Sequence, residues 1–181
     1  MLLYTLGHSN HPIERLLELL EDHEVKLLVD VRSTPFSRYN PQYNRNALEQ
    51  TLQAQGINYL YMGDVLGGRP NDPACYRSHT IPTKANDFIA EIDYPAVMEQ
   101  PWFIQGIQRL VDLADGQLTC ILCSEKDPLR CHRHLLVARY LLAHNPGVTI
   151  LHILADSHLV NASDLPGGGH PGNQEQLSFQ T

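Results

Sequence analysis

VKLLVDV, at residues 25–31, decides the class of fold, because this mostly apolar run has the length of one buried strand. An earlier apolar run at residues 2–6 ends at Gly7. Between the two runs, apolar side chains recur at helical spacing from Ile13 to Leu20. A strand, a helix and a second strand in this order predict a right-handed βαβ unit with parallel strands.

The same alternation of strands and helices continues beyond this unit. Further strands are predicted at residues 57–62, 118–122 and 148–154, and further helices at residues 46–55, 102–114 and 128–144. We therefore predict an α/β fold: a three-layer, Rossmann-like open sheet, mostly parallel, with about five strands and helices on both faces. Residues 1–157 are predicted to form a single α/β domain. Residues 158–181, which are polar and rich in glycine without periodicity, are predicted to form a disordered C-terminal tail.

Composition limits the classes of partner. The chain has 181 residues with 13 basic and 20 acidic side chains, a formal net charge of −7. This balance argues against an extensive surface for duplex nucleic acid but permits a small pocket for a nucleotide. No apolar run is long enough for a membrane helix, and the N-terminus lacks the basic region of a secretory signal. We therefore expect a cytoplasmic protein without membrane partners and with reduced thiols; the oligomeric state is left open.

Polar clusters follow the predicted strands. They are Gly7-His8-Ser9, Asp30-Val31-Arg32, Gly67-Gly68-Arg69, and the segment from Cys123 to Arg133. Ligands of open α/β sheets bind beyond the carboxyl ends of the strands, so these clusters are predicted to form one site. Several arginines at one edge of an acidic protein indicate a small anionic ligand that carries phosphate or carboxylate.

Two carboxylates are candidates for catalysis. Asp30 lies inside an apolar strand and must be paired, hydrogen-bonded or protonated. Arg32 lies on the same face of that strand, so Asp30 is either half of a buried ion pair or a functional carboxylate. Glu125 has no evident structural role, whereas Asp127 precedes Pro128 as a helix cap would.

The cysteines near Glu125 leave three interpretations open. Seven residues separate Cys123 from Cys131, which His132 follows directly. These three residues could bind zinc or iron, although the spacing matches no standard zinc motif. The thiols could instead carry redox or nucleophilic chemistry, favoured if a helix begins at Pro128. Alternatively, both cysteines are small packing residues beside functional polar groups.

Four motifs resemble a known family. They are TLGHS at residues 5–9, LVDVR at residues 28–32, LGG at residues 66–68 and LCSEKDPLRCHR at residues 122–133. Together they resemble the family called domain of unknown function 488, over roughly residues 1–154. The resemblance implies a Rossmann-like fold and no established activity. Its motifs fall on His8, Ser9, Asp30, Arg32, Gly67, Cys123, Glu125, Cys131, His132 and Arg133.

The leading hypothesis is an enzyme that hydrolyses, or transfers a group from, a small phosphorylated or nucleotide-like ligand, without a cofactor. The predicted catalytic residues are Glu125, Asp30, His132, Cys123 and Cys131. The predicted ligand-binding residues are Gly7, His8, Ser9, Arg32, Gly67, Gly68 and Arg133, with Arg32 and Arg133 holding the anionic group. One alternative is a thiol or metal-binding protein that uses Cys123, Cys131 and His132. Another is a non-catalytic sensor that binds a nucleotide in the same pocket.

Overall fold

The computed structural model describes residues 1–84 and 87–166. In this part of the chain, one sheet of six strands has the order β3-β2-β4-β1-β5-β6. The strands are β1 (Leu2–Gly7), β2 (Leu27–Asp30), β3 (Asn58–Tyr61), β4 (Thr119–Cys123), β5 (Thr149–Ile153) and β6 (Leu159–Asn161). All neighbouring strands are parallel except β5 and β6. The predicted α/β class with a mostly parallel sheet is confirmed.

Helices flank the sheet. They are α1 (Ile13–Asp22), α2 (Arg45–Ala54), α3 (Gly63–Leu66), α4 (Asp87–Glu91), α5 (Tyr94–Met98), α6 (Pro101–Gly116) and α7 (Arg139–His144), the last preceded directly by a π-helical segment, Arg133–Ala138. None of the helices in the described ranges is both long and apolar enough to cross a membrane.

Each face of the sheet has its own apolar core, because successive side chains of a strand point to opposite faces. Leu28 of β2 belongs to the core formed with α1 and α2, together with Leu16 and Leu52. Its neighbour Val29 belongs to the opposite core, which includes Phe103 of α6 and Leu136 of the π-helical segment. The predicted three layers are therefore confirmed.

β1 and β2 are not neighbours in the sheet, as they would be in the simplest βαβ unit, because β4 lies between them. Consecutive strands are neighbours in only about two-thirds of cases. All five residues of β4 are buried, as expected for the centre of a sheet. In register, Gly7 of β1 lies beside Cys123, and Asp30 of β2 lies beside Leu122. This order brings the three polar strand ends together at the middle of the sheet.

The sixth strand corrects the prediction of a disordered tail from residue 158. Ser157 has a left-handed backbone with φ of 69° and lies at a turn, after which β6 pairs antiparallel with β5. The turn Ala162–Asp164 follows. The prediction is therefore wrong for residues 159–166. The strand was missed because three residues are too few for periodicity to reveal. Residues 167–181, the rest of the predicted tail, lie outside the described residues.

A row of buried polar side chains ties this end of the chain to the sheet. His134 Nε2 donates to the Pro166 carbonyl oxygen at 3.2 Å, so His134 Nδ1 accepts a hydrogen bond at 3.0 Å from His152 Nε2. His152 Nδ1 in turn accepts a hydrogen bond at 2.7 Å from the Thr5 hydroxyl. Burial lowers the pKa of His152 to about 3. Burial also lowers the pKa of His134, so both imidazoles are neutral at ordinary pH.

Candidate functional site

A cavity of about 360 Å³ opens at the carboxyl ends of β2 and β4. Six of the predicted site residues line it: Arg32, Gly68, Cys123, Glu125, Cys131 and His132. The other predicted residues lie around these but do not line the cavity: Gly7, His8, Ser9, Asp30, Gly67 and Arg133. The polar clusters therefore lie around one cavity, where some residues line it and others support the lining residues from behind.

Asp30 belongs to the support. Arg32 donates to both of its carboxylate oxygens, from Nε at 2.8 Å and from Nη2 at 2.6 Å. The Tyr59 hydroxyl donates to Asp30 Oδ2 at 2.7 Å, and the Arg32 amide donates to Oδ1 at 3.1 Å. Asp30 and Arg32 are 0% and 4% exposed. The geometry thus favours the ion-pair interpretation of Asp30, whose carboxylate fixes the guanidinium that reaches the cavity.

His8 supports Arg32 from the other side. Its ring stacks on Tyr43 with centroids 4.0 Å apart. Nδ1 donates to the Ser9 carbonyl oxygen at 2.7 Å, which leaves Nε2 to accept from Arg32 Nη1 at 3.1 Å. Burial, together with the charge of Arg32, lowers the pKa of His8 to about 4. A neutral imidazole is what allows this contact with the Arg32 cation.

Because His8 and His152 are buried, we expect the free energy of unfolding to fall in mild acid. The ordinary pKa of 6.5 falls to about 4 for His8 and to about 3 for His152, so the unfolded chain binds more protons as the pH falls. The stabilisation is complete above pH 6.5 and is lost as the pH falls toward the folded pKa values. Urea unfolding at about pH 7.5 and about pH 5.5 should differ by about 1.4 kcal/mol for each histidine.

The matched variants for this pH effect are His152→Asn and His158→Asn. The first should remove about 1.4 kcal/mol of the pH-dependent loss. His158 is 78% exposed, so its replacement should leave that loss unchanged. A free energy of unfolding that is the same at both pH values would contradict a neutral His8 and His152.

Arg133 holds the loop that follows β4. It is 0% exposed, and its guanidinium donates to the carbonyl oxygen of Glu125 and, at 2.9 Å, to that of Lys126. Both terminal nitrogens of this guanidinium donate to the protein's own backbone, so the geometry favours an anchoring role for Arg133 over the predicted role of holding a ligand's anionic group. Gly7 allows this loop to approach β1, since a Cβ there would overlap the Glu125 carbonyl oxygen.

The segment after β4 also differs from the prediction of a helix that begins at Pro128. A short 3-10 turn at Pro128–Arg130 is capped as predicted by Asp127, which accepts from the Leu129 amide at 2.9 Å. Cys131 is then extended, and His132 is the N-cap of the π-helical segment. Cys131 therefore lies between this turn and the longer helix. The helix predicted from residue 128 begins later, because the backbone becomes extended at Cys131.

Cys123, Cys131 and His132 form a compact cluster. The two thiol sulfurs and one imidazole nitrogen all lie within 4.8 Å of one another. Cys123 Sγ is 3.6 Å from His132 Nδ1. His132 Nε2 donates to the Val31 carbonyl oxygen at 2.9 Å, so the lone pair of Nδ1 faces the cysteines. Cys123 and Cys131 are 4% and 2% exposed.

The two thiols of this cluster are inequivalent. A hydrogen bond from Cys131 lowers the pKa of Cys123, and the charge of Arg133 and the backbone amides of Glu125 and Ser124 act in the same direction. Burial raises the pKa of Cys131, and its contact with Cys123 adds to this. Negative charge is therefore favoured on Cys123, with Cys131 as the hydrogen-bond donor.

The two glycines that follow α3 allow close packing. A Cβ on Gly68 would lie 2.8 Å from Cγ and Nδ1 of His132, so only a glycine lets the chain lie against this ring. A Cβ on Gly67 would overlap the Gly63 carbonyl oxygen and Ser33 Oγ. Of the two predicted glycines, Gly68 thus borders the cavity and Gly67 shapes the turn beside it.

The family of the chain follows from its sequence. Residues 12–141 match the family model described as "Domain of unknown function DUF488". The chain belongs to this family. Comparisons with curated proteins and with solved structures gave no match.

The DUF488 match covers the segments that line the cavity. It confirms the resemblance of the motifs around Asp30, Cys123 and His132. The family description names no activity, so function has to be argued from the geometry of the site.

Sequence reasoning missed part of the lining of this DUF488 site. Ser33, Thr34, Phe36, Phe88, Ile89, Tyr94, Ser124 and Arg130 also border the cavity. Phe88, Ile89 and Tyr94 come from α4 and α5, within the proline-rich stretch at residues 70–101. The length of that irregular stretch was the available signal, because long insertions are often functional.

Glu125 has a carboxylate without a structural duty. Its side chain is exposed and borders the cavity, while its backbone carbonyl accepts from Arg133. The backbone is thus anchored, and the carboxylate is available to a ligand.

Proposed function

We propose that the protein is an enzyme that hydrolyses, or transfers a group from, a small phosphorylated or nucleotide-like molecule bound in the cavity. The observation that carries this proposal is that Arg32, Arg69 and Arg130 line the same cavity as Cys123 and His132. In a chain of net charge −7, a local concentration of guanidinium groups favours an anionic ligand.

Arg32 is prepared for an anion before any ligand arrives. Asp30 and His8 hold its guanidinium in one orientation at 2.6–3.1 Å. A side chain that is already ordered loses little conformational entropy on binding. Arg69 is also restrained, since its Cζ lies 5.1 Å from the centre of the Phe88 ring. These contacts support phosphate binding in the cavity.

The rim of the cavity supports a ligand with a planar or apolar part. Phe36 and Ile89 border the cavity and are each 68% exposed. Large apolar side chains in such a position are common in ligand sites, and an aromatic ring offers a face for a base. Cationic and large apolar side chains that border one cavity fit a nucleotide better than free phosphate.

The reactive groups of the proposed enzyme line the cavity. Glu125 is the group that would transfer a proton to or from the bound molecule. The cluster of Cys123, Cys131 and His132 lines the same cavity. In hydrolysis, water would form the new bond to phosphorus and give its proton to Glu125, while the bond to the leaving group breaks. Asp30 has a positioning role in this scheme, because its oxygens face Arg32 and Tyr59.

Binding measurements with nucleoside mono- and diphosphates test the ligand class. Arg130→Gln should weaken nucleotide binding about 10- to 100-fold, because a charge-assisted hydrogen bond contributes about 1.5–3 kcal/mol. Phe36→Ala should weaken nucleotide binding but not the binding of inorganic phosphate. Arg38 is exposed and does not line the cavity, so Arg38→Gln is the matched control and should bind as wild type does.

Turnover of a bound nucleotide tests the enzyme class. Glu125→Gln should lower kcat at least about tenfold with little change in affinity, since general acid–base catalysis contributes about 10²–10⁴ in rate. Unchanged turnover in this variant would contradict the role of Glu125. If nucleotide is retained stoichiometrically without conversion, the protein is a non-catalytic sensor and the enzyme proposal is wrong. No saturable binding of any phosphorylated probe would overturn the ligand class.

A further inference from the structure

We propose that Cys123, Cys131 and His132 bind one zinc ion, with a fourth coordination position open to the cavity. The DUF488 family description names no metal. The proposal rests on the geometry of the three side chains and goes beyond the proposed reaction, on which zinc binding does not depend.

The separation of the donor atoms suits a tetrahedral ion. Zinc lies about 2.3 Å from a thiolate and about 2.0–2.1 Å from an imidazole nitrogen, which places the two donors of a tetrahedral site about 3.6 Å apart. Cys123 Sγ and His132 Nδ1 are 3.6 Å apart. Cys131 Sγ lies within 4.8 Å of both, so a small side-chain adjustment completes a Cys₂His set.

His132 has the hydrogen bond expected of a metal ligand. A ligating imidazole usually donates its other N–H to a carbonyl or carboxylate, which fixes the tautomer and the orientation of the ring. His132 Nε2 donates to the Val31 carbonyl oxygen at 2.9 Å, and this leaves Nδ1 unprotonated toward the sulfurs. Gly68 lies directly against the ring and limits its movement.

The backbone explains how two consecutive residues can bind the same ion. Cys131 is extended, with φ of −132° and ψ of 139°, whereas His132 has φ of −61° and ψ of −21°. The change from extended to helical backbone between them brings both side chains to the same point. This chelating pair has no counterpart in the usual spaced zinc motifs, which is why spacing alone argued against a metal.

The donor set favours a soft metal. Cys123 and Cys131 are 4% and 2% exposed, so bulk water competes little for an ion held between their sulfurs. Two thiolates and one imidazole are a soft donor set, which favours zinc over magnesium or calcium.

The fourth position determines what the ion could do. All three donors line the cavity, so a molecule in the cavity can reach the ion. Three protein ligands with one open position are typical of catalytic zinc, whereas structural sites have four protein ligands. A zinc ion here would add a further positive charge beside Arg32 and Arg130, where it would polarise a bound phosphoryl or carbonyl group.

The test is the metal content of the full chain, purified reduced and without chelator. We expect about one zinc per chain in the wild type, and less than about a tenth in Cys123→Ala/Cys131→Ala and in His132→Ala. Cys75 and Cys120 are buried outside the cluster, so Cys75→Ala and Cys120→Ala are the matched controls and should retain the metal. Removing zinc should also lower the thermal midpoint.

Cobalt titration of the metal-free wild type keeps the test independent of how the variants fold. Co²⁺ should give a thiolate charge-transfer band that saturates at about one equivalent, with the visible spectrum of a tetrahedral site. A reduced, folded wild type that binds neither zinc nor cobalt would overturn the proposal, and so would a metal retained by the double cysteine variant. Nucleotide binding by metal-free protein would leave the proposed ligand class intact, which separates the two failures.

Discussion

Replacement of Asp30 by asparagine is expected to lower the free energy of unfolding by about 3–5 kcal/mol, the usual cost of removing one partner of a buried ion pair. Arg32 would remain 4% exposed without a counter-charge. The new amide would also place N–H donors against those of Arg32 or Tyr59. Urea unfolding of both proteins, with far-UV circular dichroism as the probe, measures the difference.

The matched control for Asp30→Asn is Glu18→Gln. Glu18 pairs with Arg15 at 2.9 Å, but the two side chains are 60% and 31% exposed, so the loss should be about 0–1 kcal/mol. Tyr59→Phe provides a milder test if Asp30→Asn does not fold, because it removes one hydrogen bond to Asp30. An Asp30→Asn protein as stable as the control would show that Asp30 does not neutralise Arg32.

Arg133→Met is expected to be the second most damaging change, with a loss of about 3 kcal/mol. Methionine fills much of the same volume but makes neither of the hydrogen bonds to the Glu125 and Lys126 carbonyl oxygens. Each charge-assisted hydrogen bond contributes about 1.5–3 kcal/mol. The loop beside Gly7 would lose its anchor, so proteolytic cleavage near Lys126 should also become faster.

The control for Arg133→Met is Arg109→Met on the exposed side of α6. A surface change of this kind is usually within about 0.5 kcal/mol of wild type. Equal stability of the two variants would contradict the anchoring role of Arg133. In that case Arg133 would again be a candidate for binding the anionic group of a ligand.

These two arginines show how the site is constructed. Arg32 and Arg133 are similar in sequence, since each follows a strand end and belongs to a family motif. Their partners differ: Arg32 is oriented by a carboxylate and an imidazole toward the cavity, whereas Arg133 faces two backbone carbonyls. One guanidinium is therefore available to a ligand, and the other holds the backbone of the loop that carries Glu125.

The metal proposal and the thiol interpretation have to be separated by experiment. Thiol chemistry and zinc binding use the same atoms of Cys123 and Cys131, so metal content should be measured before thiol reactivity. Metal-free protein in which Cys123 reacts rapidly with an alkylating agent would return the site to nucleophilic chemistry. A zinc-loaded protein would instead make Glu125 the candidate base for water at the open position.

The sequence by itself determined the α/β class, five of the strands and the strand-end location of the candidate cavity. These follow from local periodicity and from the general position of ligands in parallel sheets. The strand β6 was missed because a three-residue strand leaves no periodic signal. The placement of β4 between β1 and β2 was also beyond reach, because strand order is decided by packing between distant segments.

Only the tertiary structure decided which polar residues face the cavity. Asp30, His8 and Arg133 are of residue types that often act in catalysis. Their hydrogen bonds, however, are made to other parts of the protein. Phe88 and Tyr94 line the cavity from a stretch without a readable pattern. The reason is physical: a sequence determines which groups a strand end carries, but hydrogen-bond partners and burial depend on residues far apart in the chain. His132 and Val31, for example, are 101 positions apart.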